Sequence, residues 1–539
     1  MFNEYGQRII HLDGKSFAGM RNLRLLQISN VDLSKDLEYL SSELRYLKWH
    51  GDPSNSLPSN FHPMKLFALD LCHSRIKYLW KGMETFERLK TIKLSYSHNL
   101  IETPDFTGVP ILKMLDLESC TRLRKVHDSV GLLERLTTLN LKGCKNLVSF
   151  PSNVSGLKLL KILNLQRCSK LDHLPQNLGE LEVLEELDAG ETAIRQVPPS
   201  IAGLSKLESL SLCGCKVQSW WSLFWSLFLP RKYFDSMCLS LPRLSGLFSL
   251  KRLDLNDCGL SDGTLPNDLG TLCSLKALRL SNNNFVSLPN SIKRLSKLLI
   301  LRLENCRSLQ SLPELPPEIA FVGAKDCISS EDVSNALRGG TFPTFVVHLF
   351  NCLKLHENLG QENNLAIVLL KQYLLQQPVN LSSQFHIRLP GKDIPEWFSC
   401  KNDGNSVEIG LPPNWLNDDF MGIAMCGVFE PALENLDMEC VMSILGSRYA
   451  FNFRIPCFTA VESHHLWLAY ISRVEFEYHT TCQNTPYLDP SELHEYHTSI
   501  TEMKEVKRFR IESDNCIHVF YGHIYTALQY NGNNINVIL

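Results

Sequence analysis

The stretch Leu136-Thr137-Thr138-Leu139-Asn140-Leu141-Lys142-Gly143-Cys144 decides how the first part of the chain folds. Its pattern, Leu-x-x-Leu-x-Leu, starts again with mild substitutions at Leu23, Leu44, Leu66, Leu89, Leu112, Leu160, Leu184, Leu207, Leu250, Leu275 and Leu298, twelve copies in all. Successive spacings are 21, 22, 23, 23, 24, 24, 24, 23, 43, 25 and 23 residues. All but one fall in the roughly 20–29 residue range of a leucine-rich repeat. The exception holds an insertion at 217–249, rich in tryptophan (Trp220, Trp221, Trp225) and too short to span a bilayer as a helix.

The second and third apolar positions of each motif alternate inward along a short strand, so every repeat donates one rung to a shared core. Proline recurs on the return path, in Leu57-Pro58, Phe150-Pro151, Leu174-Pro175, Val197-Pro198, Leu265-Pro266, Leu288-Pro289 and Leu312-Pro313, where its fixed φ starts the convex segment. Cys120, Cys144, Cys168, Cys215, Cys258 and Cys306 each stand three residues after the last apolar position, with Asn283 in the same place of its repeat. Small buried groups serving the turn explain that register better than a metal or redox ladder does.

Alternation also assigns the concave face. Its central column reads Gln27, Lys48, Asp70, Lys93, Asp116, Asn140, Asn164, Asp188, Ser211, Asp254, Arg279 and Arg302. The column is polar and mixed in sign, and concave solenoid faces are common binding surfaces. Candidate protein-binding residues are therefore Tyr46, Lys48, His50, Asp70, Lys93, Asp116, Asn140, Asn164, Asp188, Asp254, Arg279 and Arg302. Trp49 replaces an inward leucine and is expected in the core.

The bulk properties agree with a folded protein-binding chain. Over 539 residues, 54 Lys and Arg face 57 Asp and Glu, a formal charge of −3 that gives no reason to expect nucleic acid as a partner. At 44% apolar and 21% charged the chain is neither disordered nor collagen-like. The N-terminus has no apolar signal segment, and no apolar run is long enough to span a membrane. The 18 cysteines then read as reduced thiols of a cytosolic protein, with the nucleus as a second candidate compartment.

After Pro313 the repeat fades through Leu315-Pro316-Pro317-Glu318-Ile319-Ala320-Phe321-Val322, expected as a last, atypical rung. The repeat domain is taken as 1–325. Residues 326–384 read as an irregular connector with a helix near 364–377, ending before Pro378. From 385 to 535 the period becomes two, in Phe385–Leu389, Ser406–Leu411, Val506–Ile511 and Cys516–Tyr521. Short strands with Pro, Gly and Asn breaks argue for an all-β sandwich. The fold class expected is an α/β leucine-rich-repeat solenoid, its parallel sheet on the concave face, followed by that sandwich.

These residues resemble a known family. The Leu-x-Leu-x-x-Cys and Leu-Pro punctuation, and the opening Phe17-x-x-Met20-x-x-Leu23-Arg24-Leu25-Leu26, are similar to plant intracellular immune receptors of the TIR, nucleotide-binding and leucine-rich-repeat class. Pro390-Gly391-Lys392-Asp393-Ile394-Pro395-Glu396-Trp397-Phe398, Leu411-Pro412-Pro413-Asn414-Trp415 and Phe420-x-Gly422-x-Ala424-x-Cys426 resemble the jelly-roll, Ig-like domain (C-JID) that follows the repeats in that class. His465-Leu466-Trp467-Leu468 and Cys516-Ile517-His518-Val519-Phe520-Tyr521 fit its later strands, with Ile517 where glycine is frequent.

The resemblance implies that repeats and C-terminal domain together recognise a pathogen effector protein. An NADase would reside in a TIR domain and an ATP switch in a nucleotide-binding (NB-ARC) domain, neither of which matches these residues. Gly14-Lys15-Ser16 has Ile9 where a phosphate-cradling loop requires glycine. The expectation is a fragment of a longer receptor or a truncated, non-signalling decoy.

No catalytic constellation emerges. His464-His465 adjoin a strand-like run and fit packing. His494-Glu495-Tyr496-His497 spaces its histidines at i+3 instead of the i+4 of a zinc-protease helix, and no G-x-S-x-G elbow occurs. The chain is expected to be no enzyme, with no cofactor and no metal ligands. The alternative function is an autoinhibitory or scaffold module that clamps a receptor's nucleotide-binding domain in cis or trans.

Overall fold

The computed structural model describes residues 10–29, 31–33, 37–51, 54–58, 61–80, 84–215, 238–327, 344–352, 365–376, 383–391, 402–403, 406–410, 422–429, 436–445, 450–457, 464–472, 508–514, 521–524, 527–531 and 534–538. The chain divides into two compact units, 1–275 and 276–539.

In the first unit, ten strands among the described residues form one parallel ladder. They run Leu25–Ser29, Tyr46–His50, Ala68–Asp70, Thr91–Lys93, Met114–Asp116, Thr138–Asn140, Ile162–Asn164, Glu186–Asp188, Ser209–Ser211 and Arg252–Asp254, each paired in register with the next. The motif explains the strand: Leu136, Leu139 and Leu141 are completely buried, whereas Thr138 and Asn140 between them are half-buried. Full burial of one leucine stabilises by roughly 1.5–3 kcal/mol. The rungs above and below supply that burial, which a lone repeat lacks. Trp49 is buried against the Phe17 ring, as its inward position requires.

Nine of the ten rungs, from Tyr46–His50 onward, leave their strand through a left-handed residue. Gly51, His73, Tyr96, Ser119, Gly143, Arg167, Glu191, Gly214 and Asp257 all have positive φ in this unit. Next comes the cysteine position, and its side chain bonds back to the preceding repeat. The thiols of Cys120, Cys144, Cys168, Cys215 and Cys258 donate to the carbonyl oxygens of Leu94, Leu117, Leu141, Ala189 and Leu212 at 3.1–3.2 Å. Ser97 makes the same bond to the Leu71 carbonyl at 3.1 Å. On the convex side Pro198, with φ −64°, leads into the 3-10 helix Pro199–Gly203.

The second unit begins with the same architecture. Ala277–Arg279, Ile300–Arg302, Phe321–Gly323, Thr344–His348 and Gln384–Pro390 are successive parallel neighbours. The strand at 321–323 is thus not the last rung. Asp326 and Asn351 take the left-handed position, and Cys327 and Cys352 donate to the carbonyls of Leu303 and Ala324 at 3.2 and 3.0 Å. Two further cysteines therefore belong to the turn register. The sequence hid them because neither Phe321-Val322-Gly323 nor Phe345-Val346-Val347 carries the Leu-x-Leu pattern. A helix, Leu365–Gln376, lies between the last two of these strands, against an expected 364–377.

Gln384–Pro390 changes the sheet. One edge pairs parallel with Thr344–His348, the other antiparallel with His465–Ser472. His465–Ser472 in turn pairs with Gly422–Phe429, which pairs with Tyr521–Ile524. A separate four-stranded antiparallel sheet has the order Ser406–Gly410, Arg508–Asp514, Leu436–Leu445, Ala450–Cys457. The tryptophan-rich part of the insertion and the motifs at 392–398 and 411–415 lie outside the described residues. Among the described residues no helix is long and apolar enough to cross a membrane.

Candidate functional site

The ladder sets the expected column side by side. Register pairs Lys48 with Asp70, Asp70 with Lys93 and Lys93 with Asp116. It continues through Asn140, Asn164, Asp188, Ser211 and Asp254. Neighbouring rungs stand about 4.8 Å apart, so the first four residues alternate in charge across strands, a stabilising arrangement. Tyr46, Lys48 and His50 alternate outward along one strand, all half-buried. In the second unit Arg279 pairs with Arg302. The guanidinium of Arg302 lies 3.6 Å from Glu304 and 5.2 Å over the Phe321 ring.

Most of the acidic and amide members have a local task. A side-chain oxygen of Asp70, Asp116, Asn140, Asn164, Asp188 and Asp254 accepts the backbone N–H two residues on, at 3.0–3.3 Å. Each thereby closes the turn that leads into the left-handed residue. Burial raises the Asp188 carboxyl above its ordinary value, only partly offset by the Gly190 N–H. Burial also pushes Asp70 up, but its bonds to Cys72 and His50 outweigh this and the net shift is downward. Repetition alone identified this column without showing that its oxygens serve the scaffold.

Two outward features have no such task. One is a column two residues earlier in each strand: Leu25, Tyr46, Ala68, Thr91, Met114, Thr138 and Ile162, in register throughout and, apart from the buried Ala68, at least partly exposed. Leu25 is 61% exposed, and Phe67, the residue before Ala68, is 47% exposed, with its ring 6.1 Å from that of Tyr46. The other is a groove of about 830 Å³ along the post-strand turns, lined by Tyr96, His98, Glu118, Lys142, Arg167 and Glu191 among others. Arg167 bonds both Glu191 oxygens at 3.1 and 3.2 Å, and the rings of His73 and Tyr96 stack at 4.9 Å. The left-handed turn position presents these side chains, a signal the motif gives only once the turn is seen.

Burial drives Cys120, Cys168 and Cys306 up to about 12, so they remain protonated donors. Charge, aromatic rings and open grooves on a rigid sheet equip the surface for contact with another macromolecule.

Comparison with known proteins agrees. The C-JID domain family matches residues 389–527, and the family described as "Disease resistance protein RPS4B-like, leucine-rich repeats" matches 156–339. Disease resistance-like protein DSC1 of Arabidopsis thaliana is 31% identical over 519 residues, covering 80% of this chain and 42% of the relative. TMV resistance protein N of Nicotiana glutinosa is 30% identical, covering 77% and 41%. Among solved structures, a leucine-rich-repeat protein of Leptospira interrogans covers 70% of this chain and 90% of its own, with 22% identity and a TM-score of 0.44. The chain spans about two fifths of the length of the curated relatives it matches. With the repeat ladder and the C-JID match on one polypeptide, the chain belongs to the family of TIR, nucleotide-binding and leucine-rich-repeat disease-resistance proteins, over their leucine-rich-repeat and C-JID regions.

Proposed function

We propose that the chain is the ligand-sensing part of an intracellular plant immune receptor, recognising a pathogen effector protein through its repeat surface and its C-JID. The observation that carries this reading is the polar groove from Tyr96 to Glu191, whose charged side chains point outward and are not used to close turns. The relatives, named as disease-resistance proteins, supply the biological setting. On this reading the chain works by binding, in the cytosol and the nucleus, and carries no catalytic site of its own.

A second reading, that the first repeats clamp a receptor's nucleotide-binding domain, has its own support. Met20, Leu25, Met64 and Phe67 are 49%, 61%, 51% and 47% exposed, four large apolar side chains open to solvent in the first repeats, where a partner's apolar face would bury them.

One experiment separates the two. The purified chain is screened against a library of secreted pathogen proteins and against the nucleotide-binding domain of a receptor of this class. Binding is then remeasured with Lys142→Glu/Arg167→Glu and with Leu25→Asp/Phe67→Asp. Effector binding lost only in the first variant supports sensing through the groove. Domain binding lost only in the second supports the clamp. Effector binding unchanged in the groove variant overturns the assignment of the groove.

A further inference from the structure

Cys72 lies outside the cysteine register. It stands two residues before Ser74, the residue at the turn position its relatives in the register occupy, and its equivalent in the next repeat is Ser95. No carbonyl bond of the ladder type explains it. Instead, Cys72 shares the concave surface with Asp70, two residues earlier on its own chain, and with His50 on the neighbouring rung. The Gly51 N–H donates to the Cys72 carbonyl at 3.0 Å, which holds the two segments side by side.

We propose that His50, Asp70 and Cys72 form a zinc site. An imidazole nitrogen of His50, an Asp70 carboxylate oxygen and the Cys72 sulfur all lie within 4.8 Å of one another. Ligand atoms on a tetrahedral zinc, with bonds of about 2.0–2.3 Å, stand roughly 3.3–3.8 Å apart, so small rotamer changes bring the three to bonding distance. Imidazole, thiolate and carboxylate together are a donor set that suits Zn²⁺ better than Mg²⁺ or Ca²⁺, which prefer all-oxygen shells.

Without metal the three groups satisfy one another. Nε2–H of His50 donates to Asp70 Oδ1 at 3.0 Å, and burial together with the Asp70 carboxylate pushes the Cys72 thiol up to about 12. Metal entry replaces these bonds: Zn²⁺ takes the Nε2 lone pair, the carboxylate oxygen and the sulfur, and the thiol proton leaves to solvent. His73 is held apart from the set. Its ring is 6.4 Å from that of His50 but stacks on Tyr96 at 4.9 Å and 5°. The fourth position faces the concave side, where water or a side chain of a bound protein completes the shell.

The test uses the full chain and Co²⁺ as a spectroscopic stand-in for Zn²⁺, with Zn²⁺ competition giving affinity and stoichiometry. The expected result is one ion per chain, a thiolate-to-cobalt charge-transfer band, and its disappearance in Cys72→Ser. His50→Asn should weaken binding at least tenfold. Serine is safe for folding, because Ser95 fills that place one repeat on. Cys273, which is exposed, and Cys213, half-buried, are alternative thiols, so Cys273→Ser and Cys213→Ser serve as controls and should leave the band unchanged. Absence of the band in the wild type, or its persistence in Cys72→Ser, overturns the site. Loss of the band in either control assigns the metal elsewhere and overturns it equally.

Discussion

At the scale of single residues, the turn after each strand is where sequence and structure constrain each other most tightly. Cys168 is buried and donates its thiol to the Leu141 carbonyl at 3.2 Å. Cys168→Ala removes one of the two bonds that this carbonyl accepts, the Cys144 N–H remaining at 3.1 Å, and should cost about 0.5–1.5 kcal/mol in urea unfolding. Cys168→Ser should cost less, since Ser97 makes the equivalent bond with its hydroxyl. A serine variant as damaging as alanine would show that sulfur packing, and not the bond, matters. Asn164 is a parallel case. Its Oδ1 accepts the Gln166 N–H at 3.0 Å, so Asn164→Ala should lose about 0.5–1.5 kcal/mol, and Asn164→Asp should recover most of it. Cysteine and Asp/Asn columns were visible in the sequence as repetition. That the first is a hydrogen-bond ladder and the second a set of turn closures was not, because both depend on which carbonyl or N–H comes within reach.

At the scale of elements, the repeat period fixed strand positions well, and its failures have a physical origin. Strands were legible wherever leucine marked all three inward positions. Thr344–His348 escaped because Phe345 and Val347 fill inward places with other apolar groups that pack equally well. Convex segments vary more in sequence but face tight limits where repeats approach each other. A Cβ on Gly131 would sit 2.0 Å from the Asn153 carbonyl oxygen, whereas one on Gly51 meets nothing within 4 Å and only its φ of +75° resists. Gly51→Ala should therefore cost about 1–2 kcal/mol. Gly131→Ala should exceed that clearly, since two backbones must part. Denaturant midpoints of the two variants make the comparison, and equal losses would mean that the convex side yields freely.

At the scale of the whole molecule, acid sensitivity should differ between the two units. His386, 4% exposed in the second unit, is held down at about 3 by burial and then by the Arg388 charge. Its unfolded value is about 6.5, so on acidification the unfolded chain takes the proton first. Stability is then flat above about pH 6.5 and falls from there toward about pH 3, by at most about 1.4 kcal/mol per pH unit for this group. Hydrogen exchange followed from about pH 7.5 to about pH 5 should show protection lost first around 384–390, and His386→Phe should blunt that loss. Identical profiles in wild type and variant would remove His386 as the cause.

The strand Gln384–Pro390 carries one more consequence. A solenoid whose final rung ended in open backbone would offer a template on which another copy could continue the stack, and filaments would grow from it. Here that rung is already occupied by a strand of opposite direction. An incoming repeat, built to join in parallel, finds no vacant edge at 384–390, so this rung acts as a chain terminator against polymerisation.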